Sequence, residues 1–322
     1  MKVPSFSDRR RHGRSPRQSP SRSLRNNGQR EELREISKET LNVLPSLLKE
    51  LGTADFARQS IKYSFSSLNR LDPRQCPSYR QPAIIKVVNN DTLNAAIELS
   101  YRPQPDGEGA RSQPPIVVNF ANRHSPGGGW INGAMAQEEA ICYRSSLALS
   151  LNKKHYPLER DQALYSPYVL VMREDMPSGH RLSSLPARDL PVVSALTIAA
   201  LRNPTVRVFR NVPYTNQLSQ PNSAVYDKHV FAHDRDRDHT KAKMRLGLRM
   251  AAKNKHDILV LGALGCGVYG NPPEDVANCW LEVLREDEFS GNWWREVWFA
   301  IFDPKNEGNF EIFHQVLDGR GV

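Results

Sequence analysis

The sequence predicts an α/β protein built as one large domain. The chain has 322 residues and is 39% hydrophobic, which is enough for one sizeable core. Short apolar runs typical of buried strands alternate with stretches of helical periodicity, and this alternation is typical of a sheet covered by helices on both faces. Two glycine-rich loops each directly follow such a run. Because ligands bind beyond the carboxyl ends of the strands in α/β sheets, these loops are predicted to form the functional site.

The positive charge of the chain is concentrated in its first 30 residues. The formal net charge is +9, but residues 1–30 hold nine lysines and arginines against one acid, Asp8. Residues 31–322 then carry 35 basic and 34 acidic residues and are nearly neutral. No sequence-specific nucleic-acid partner is therefore expected. Residues 1–30 are too poor in apolar side chains to fold and are predicted to be disordered. The sequence leaves three roles open for these residues: a nuclear-import signal, a tether for polyanions, or a solvated tail without a receptor.

Cysteine spacing and hydropathy indicate an intracellular protein. The four cysteines show no CxxC spacing and no neighbouring histidine pattern, so neither a zinc site nor a disulfide framework is predicted. No apolar run approaches the roughly 18 residues that a membrane helix needs, and the N-terminus lacks the apolar core of a secretory signal. We expect a soluble monomer of the nucleus or cytoplasm, without membrane partner, cofactor or metal.

The fold is predicted to begin with a helix over residues 31–51, where apolar residues recur at three-to-four spacing, interrupted at Pro45. Several short strands rich in β-branched or aromatic residues follow. They are predicted at residues 84–88, 116–120, 169–172, 206–212, 257–261 and 297–302. A further helix is predicted over residues 140–151. Residues 233–239, with alternating charges between two histidines, are interpreted as a solvated loop, in preference to a metal site, before a helix over residues 240–255.

Residues 126–139 (PGGGWINGAMAQEE) are the most informative stretch of the chain. Three consecutive glycines are followed, after seven intervening residues, by a glutamine and two adjacent acids, namely Gly127, Gly128, Gly129, Gln137, Glu138 and Glu139. Acids in a first helical turn are ordinary partners of the helix dipole, worth about 0.3–1 kcal/mol. A bare glycine backbone that can lie against a ligand, beside an acid pair, favours an active site instead. Because neighbouring helical residues point about 100° apart, the two acids cannot oppose each other across a sugar, and one must do the acid chemistry.

A second glycine loop follows the strand at 257–261 and precedes a helix that begins with Asn271 and two prolines. A strand, a glycine loop and a helix N-terminus together form a cradle for anions. The glycines satisfy the GxGxxG pattern of dinucleotide-binding folds. Only one further strand is predicted after them, however, and the acids about 20 residues on, Asp287 and Glu288, lie at a predicted helix exit and not at the end of a second strand, so that interpretation is rejected.

These two loops carry a resemblance to a known family. The glycine and QEE motif is similar to the signature of the poly(ADP-ribose) glycohydrolases, and residues 265–272 (GCGVYGNP) resemble the diphosphate loop of the microbial branch. The resemblance covers roughly residues 31–315. It implies a macrodomain-like three-layer α/β/α sandwich with a mixed central sheet. Accordingly, we divide the chain into a disordered tail (1–30), a packed helical accessory segment (31–83) and a catalytic core (84–322).

The resemblance also implies roles for individual residues. Glu139 would protonate the leaving ribose oxygen and then deprotonate the attacking water, while Glu138 and Gln137 would orient the ribose. Substrate contacts are implied for the glycines of the first loop, for the second loop and for three further residues. The residues of the second loop are Gly265, Cys266, Gly267, Val268 and Tyr269. The three further residues are Asn122, Asp91 and Phe302.

Several of these assignments have structural alternatives. Asn122 is equally a turn residue at a strand end, and Asp91, matched to an acid that accepts from the adenine amino group, is equally a helix cap. Phe302 is a candidate to stack on adenine, with Phe299 or plain core packing as alternatives. Tyr269 either packs over the ligand or anchors its loop.

The resemblance implies an enzyme that releases ADP-ribose from poly(ADP-ribose), mainly from chain ends, with ADP-ribosylated proteins as partners. The principal alternative is a noncatalytic ADP-ribose reader, which would keep both loops but needs no acid. An RNA-binding protein, suggested by the Arg/Ser tail, lacks an aromatic RNP-type motif.

Overall fold

The computed structural model describes residues 20–102, 113–213 and 225–322. The helices of these residues are α1 (Pro20–Glu50), α2 (Thr92–Tyr101), α3 (Gln137–Arg144), α4 (Leu147–Ser150), α5 (Asp234–Lys253), α6 (Pro273–Leu284) and α7 (Asn309–Leu317). The strands are β1 (Ile61–Ser64), β2 (Ile85–Val88), β3 (Ile116–Phe120), β4 (Gln162–Leu170), β5 (Val192–Ile198), β6 (Val206–Pro213), β7 (Val225–Phe231), β8 (Ile258–Leu261) and β9 (Glu296–Ala300).

The central sheet has seven strands in the order β1-β4-β5-β3-β8-β9-β2. The five strands from β5 to β2 run parallel, whereas β4 is antiparallel to both β5 and β1. The predicted mixed sheet is confirmed. Because the parallel strands end at the same edge, the loops that follow β2, β3, β5, β8 and β9 converge there.

The core lies on both faces of this sheet. Strand β3 alternates between them: Ile116 and Val118 pack with residues of α5, α6 and α7, while Val117 packs with residues of α2 and α3. Strand β8 divides in the same way, with Leu259 on the first face and Val260 on the second. Apart from Asn119 of β3, these two strands are apolar at every position because both of their faces are covered. The predicted three-layer sandwich is therefore confirmed.

Helix α1 begins earlier than predicted, at Pro20, and continues through Pro45 without interruption. The prediction of disorder is therefore wrong for residues 20–30, while residues 1–19 lie outside the described residues. The helix contacts the first glycine loop, because Arg34 Nε donates to the Asn132 carbonyl at 3.4 Å and a side chain on Gly133 would collide with the Arg30 backbone. The accessory helix thus forms one wall of the region around the predicted site.

The interpretation of residues 233–239 as a solvated loop is wrong. Helix α5 begins at Asp234, and Arg237 binds Asp275 at 2.8 Å and Glu282 at 2.6 Å. The alternating charges place a basic side chain toward acids of α6, a pairing that the local pattern could not predict.

The boundaries of other elements also differ from the predictions. The helix predicted over residues 140–151 is divided at Ser145, whose extended backbone separates α3 from α4. Strand β4 begins at Gln162, ahead of the predicted residues 169–172, and β1, β5 and β7 were not predicted. Strands β6 and β7 form a separate two-stranded sheet.

Candidate active site

The first glycine loop connects β3 to α3 and contains two consecutive residues in the left-handed region. Gly127 has φ +70° and Gly128 has φ +60°, conformations that side chains rarely adopt. A Cβ on Gly128 would also collide with the Glu139 carboxylate. The bare backbone at Gly128 is therefore what allows the loop to lie directly against the acid.

Glu139 lies in the first turn of α3 and is 8% exposed. Its Oε1 accepts a hydrogen bond from Gly129 N at 2.8 Å, and its Oε2 accepts from Ala136 N at 3.1 Å. One side chain therefore satisfies an otherwise unpaired N–H at the start of α3 and fixes the glycine loop at the same time.

Glu138 is more deeply buried, at 2% exposure, beneath the same loop. Its Oε2 accepts from Asn122 N at 2.7 Å and its Oε1 from Asn119 Nδ2 at 3.3 Å. Burial raises the pKa of Glu138 to about 8, and the two hydrogen bonds offset only part of this effect. The neutral carboxyl is therefore favoured in the folded protein, so its contribution to stability is fully present below the unfolded pKa of 4.5 and is lost as the pH rises to about 8.

Gln137 has a different environment from the one implied by the resemblance. Its Oε1 accepts from Phe120 N at 2.8 Å, and its Nε2 donates to the Val118 carbonyl at 2.7 Å and to Thr92 Oγ1 at 3.2 Å. The amide oxygen thus binds the end of β3, and the amide nitrogen binds both β3 and the start of α2. In this structure Gln137 positions α3, and a direct ribose contact stays a prediction.

Asn119, a buried residue of β3, was missed by the sequence reasoning. Its Nδ2 donates to Thr197 Oγ1 at 3.2 Å as well as to Glu138, while its Oδ1 is buried without a hydrogen-bond partner among the described residues. A polar residue within the apolar run 116–120 was the available signal, since a buried amide needs partners.

Asn122 lies where β3 leaves the sheet. Its Oδ1 accepts from His124 N at 2.9 Å and Ser125 N at 3.1 Å, as expected for a turn residue at a strand end. The same residue donates its backbone N–H to Glu138. Its predicted contact with the terminal ribose stays a prediction.

The second glycine loop runs from β8 to α6. Gly265 has φ +75°, and a Cβ there would collide with Asn271 and come within 2.6 Å of the Ala200 side chain. Asn271 Nδ2 donates to the carbonyls of Gly265 at 3.1 Å and Leu201 at 2.7 Å. The loop is therefore tied to the segment that follows β5.

The tip of this loop is exposed and ready to accept an anion. Val268 is 84% exposed, and the backbone N–H groups of Gly267, Val268 and Tyr269 donate to no atom of the described residues. Tyr269 lies within electrostatic reach of the acid pair, since burial and then the charge of Glu138 raise its pKa. Cys266, in contrast, is buried, and burial raises the pKa of its thiol well above the ordinary value, so it packs inside the loop.

The aromatic candidates after β9 differ sharply in exposure. Phe299 is fully buried against Trp280 and Phe313, which makes it a core residue. Phe302 is 45% exposed. The backbone on its C-terminal side is held by Asp303, whose N–H donates to Asn89 Oδ1 at 2.9 Å. Of these two aromatic residues, only Phe302 can stack on a ligand.

Asp91 caps the N-terminus of α2, which is the alternative role given for it in the sequence analysis. Its Oδ1 accepts from Leu93 N at 2.8 Å and Asn94 N at 3.2 Å. The same oxygen pairs with the buried Arg144 of α3. The predicted adenine contact of Asp91 stays a prediction.

The arrangement defines the class of protein. A mixed sheet between two helical layers, with two glycine loops at the carboxyl ends of its strands, is a macrodomain-like fold. The buried acid pair beside the glycine loops supplies the groups that acid-base hydrolysis needs. Within the described ranges, no group of three or more His, Cys, Asp or Glu is placed to hold a metal ion. No helix in the described part of the chain is long and apolar enough to cross a membrane.

Comparisons with known proteins agree with this class. Residues 46–174 match the protein-family model described as "Microbial-type PARG, catalytic domain". The chain is similar to the crystal structure of poly(ADP-ribose) glycohydrolase from Thermomonospora curvata, with 25% identity and a TM-score of 0.64, over 89% of this chain and 99% of that one. The structure of that enzyme bound to the inhibitor ADP-HPD gives 26% identity and a TM-score of 0.62 over the same shares.

The ADP-ribose complex of the Deinococcus radiodurans poly(ADP-ribose) glycohydrolase is similar at 25% identity and a TM-score of 0.61, over 83% of this chain and 97% of that one. No curated protein sequence matches. The family model and the structural similarity together support the microbial-type poly(ADP-ribose) glycohydrolases as the family of this chain.

Proposed function

We propose that this protein is a poly(ADP-ribose) glycohydrolase that cleaves ribose–ribose O-glycosidic bonds and releases ADP-ribose, with Glu139 as general acid and base. The observation that carries the proposal is the placement of Glu139 against the bare backbone of Gly128 and Gly129, at the edge of the sheet where both glycine loops meet. The family match and the similarity to inhibitor- and ADP-ribose-bound glycohydrolases support the same activity.

The assignment of the acid to Glu139 rests on access and on the family resemblance. Both carboxylate oxygens of Glu138 are held beneath the loop by β3 and the turn after it, whereas Glu139 retains the greater exposure. In the proposed reaction Glu139 protonates the leaving ribose oxygen as the glycosidic C–O bond breaks. Glu139 then accepts a proton from the water that attacks the anomeric carbon, which restores its starting state.

Glu138 has a supporting role in this proposal. Its raised pKa favours a neutral carboxyl at neutral pH. A neutral Glu138 limits the negative charge next to Glu139 and can donate a hydrogen bond to a ribose hydroxyl. The raised pKa also makes Glu138 the alternative acid, which substitution of each residue distinguishes.

The rest of the ligand is proposed to span the edge of the sheet. The exposed N–H groups of residues 267–269 and the N-terminus of α6 suit the diphosphate. The exposed ring of Phe302 suits the adenine. Tyr269 would pack over the bound unit.

We propose mainly exo cleavage. Helix α1 forms a wall against the glycine loop through Arg34 and Gly133, which supports a pocket that encloses the terminal ribose. The unit attached to protein should then persist, because its glycosidic partner is not a ribose hydroxyl.

Incubation of the purified protein with labelled polymer of defined length tests the proposal. Free ADP-ribose should be the early product, while the polymer shortens by single units. A noncatalytic reader would bind the polymer and leave it intact. Abundant internal fragments before free ADP-ribose would contradict exo cleavage.

A further inference from the structure

The two-stranded sheet of β6 and β7 is rigidly joined to the second glycine loop. Asn203, just before β6, donates its backbone N–H to the Tyr269 carbonyl at 2.8 Å. On β7, the Tyr226 hydroxyl donates to Glu274 of α6 at 3.1 Å, and Lys228 pairs with the same carboxylate at 3.0 Å. The sheet therefore extends from the edge of the proposed diphosphate site in a fixed direction.

The segment that enters this sheet is unusually basic for the folded part of the chain. Residues 202–213 contain three arginines, Arg202, Arg207 and Arg210, and no acid, although residues 31–322 are nearly neutral. All three are exposed. No described carboxylate lies within ion-pair distance of them, whereas arginines elsewhere, such as Arg237, are paired. Arg207 donates a hydrogen bond to the Ala232 carbonyl at 3.5 Å, but none of the three has a carboxylate partner within the described residues, so their charge is available for an anionic ligand.

An exposed aromatic ring lies between these charges. Phe209 is 47% exposed and has Lys228 directly opposite on β7. Because side chains two residues apart share a face of a strand, Arg207 lies on the same face as Phe209. An aromatic ring beside basic groups is how proteins bind single-stranded polymers of phosphates and bases, through stacking and charge.

The basic segment also has an electrostatic link to the site. Arg202 lies close enough to Tyr269 to lower the pKa of its hydroxyl, against the larger opposing effect of burial. A polymer whose terminal unit occupies the glycine loops could pass from Tyr269 directly along this segment.

We propose that Arg202, Arg207 and Phe209 form a secondary binding surface for the poly(ADP-ribose) units that lie outside the catalytic pocket. The proposal rests on the proposed function for the identity of the polymer. The surface should strengthen the binding of long polymers only, because a minimal two-unit substrate does not extend along the sheet.

The test compares an Arg207→Ala/Phe209→Ala double variant with an Arg188→Ala/Phe56→Ala control. The side chain of Arg188 is 84% exposed and lies beside Asp189, and Phe56 is 56% exposed in a short segment that contacts β4 and α4. In the Arg207→Ala/Phe209→Ala variant, KM for long polymer should rise about tenfold or more, since stacking of a single base is already worth ~1–3 kcal/mol. The kcat on long polymer and all parameters on the two-unit substrate should stay unchanged, and the control should match the unsubstituted protein.

Binding measurements separate this proposal from the proposed activity. In a Glu139→Gln background, polymer affinity should fall about tenfold with the double variant, with a shallower dependence on salt. Affinity for ADP-ribose alone should not change. If the unsubstituted protein does not hydrolyse polymer, the proposed function fails, but this binding test still decides the role of the surface.

Three results would overturn the inference. The first is unchanged affinity for polymer. The second is an equal loss for ADP-ribose, which would mean that the substitutions disturb the second glycine loop. The third is tighter binding of single-stranded DNA than of polymer, lost with the same substitutions, which would make the surface a nucleic-acid site.

Discussion

Replacement of Glu139 by glutamine separates the chemistry of this residue from its structural role. Glutamine has nearly the same shape but cannot supply a proton. Removal of a general acid and base typically lowers the rate by roughly 10²–10⁴, or about 2.7–5.4 kcal/mol of transition-state stabilisation at 1.36 kcal/mol per tenfold change. We therefore expect kcat on polymer to fall by at least about a hundredfold, with binding of ADP-ribose retained.

The hydrogen bonds of Glu139 also predict a stability cost. The carboxylate accepts from Gly129 N and from Ala136 N through different oxygens, and a glutamine side chain has only one oxygen. One buried N–H then loses its acceptor, which costs about 1–3 kcal/mol. Denaturant unfolding should detect this decrease as a lower midpoint with an unchanged m-value.

Product analysis with labelled polymer and calorimetric titration with ADP-ribose measure the two effects. A Glu138→Gln variant serves as the matched comparison, because it alters the adjacent carboxyl on the same turn. If affinity for ADP-ribose falls as much as the rate, Glu139 contributes binding rather than acid chemistry. If Glu138→Gln abolishes turnover and Glu139→Gln does not, the acid is Glu138.

Three further predictions concern the loop, the buried carboxyl and the accessory helix. Gly128→Ala should reduce activity and stability strongly, since a Cβ there meets the Glu139 carboxylate in a left-handed backbone, whereas Gly267→Ala, whose Cβ meets no protein atom within 4 Å, should leave the free energy of unfolding unchanged. Unfolding of both variants and kinetics of the Gly128→Ala variant check this. Between the unfolded pKa of 4.5 and the folded pKa of about 8, the free energy of unfolding should fall as the pH rises, by up to ~1.36 kcal/mol per pH unit near the middle of this range and by about half as much per unit near pH 8, because Glu138 binds a proton only in the folded state. Glu138→Gln should abolish this slope in denaturant titrations. Removal of residues 1–19 should leave activity on short polymer unchanged. Removal of residues 1–34 should lower both activity and melting temperature, because it deletes the contacts that Arg30 and Arg34 of α1 make with the glycine loop. Equal behaviour of the two truncations would contradict this role of α1.

The sequence predicted those parts of the site that depend on local backbone chemistry. Glycine at positions 127 and 128 is required by positive φ and by the nearby acid, and such requirements leave a visible run in the sequence. The strands β3 and β8 were predicted because both of their faces are buried, which makes β8 a continuous apolar run and leaves Asn119 as the only polar residue of β3.

The parts that escaped prediction depend on contacts between distant segments. Arg237 lies in the first turns of α5, and its acidic partners come from α6, about 40 residues along the chain, so nothing near residue 237 indicates them. The sequence did not indicate that the Gln137 amide binds three partners on β3 and α2, and its contact with the ribose stays a prediction. A sequence motif shows which residues occur together but not the direction in which each side chain points.

Those directions give a physical reason for three adjacent polar residues at the start of α3. Because successive helical side chains point about 100° apart, each one reaches a different element. Gln137 binds the end of β3, Glu138 binds the turn that follows it, and Glu139 binds the glycine loop. The first two interactions fix the position and rotation of the helix relative to the sheet, and this rotation places Glu139 against Gly128. A shift of α3 by one residue relative to β3 would separate all three side chains from these partners at once. The position of the proposed acid is therefore set by the register between this strand and this helix.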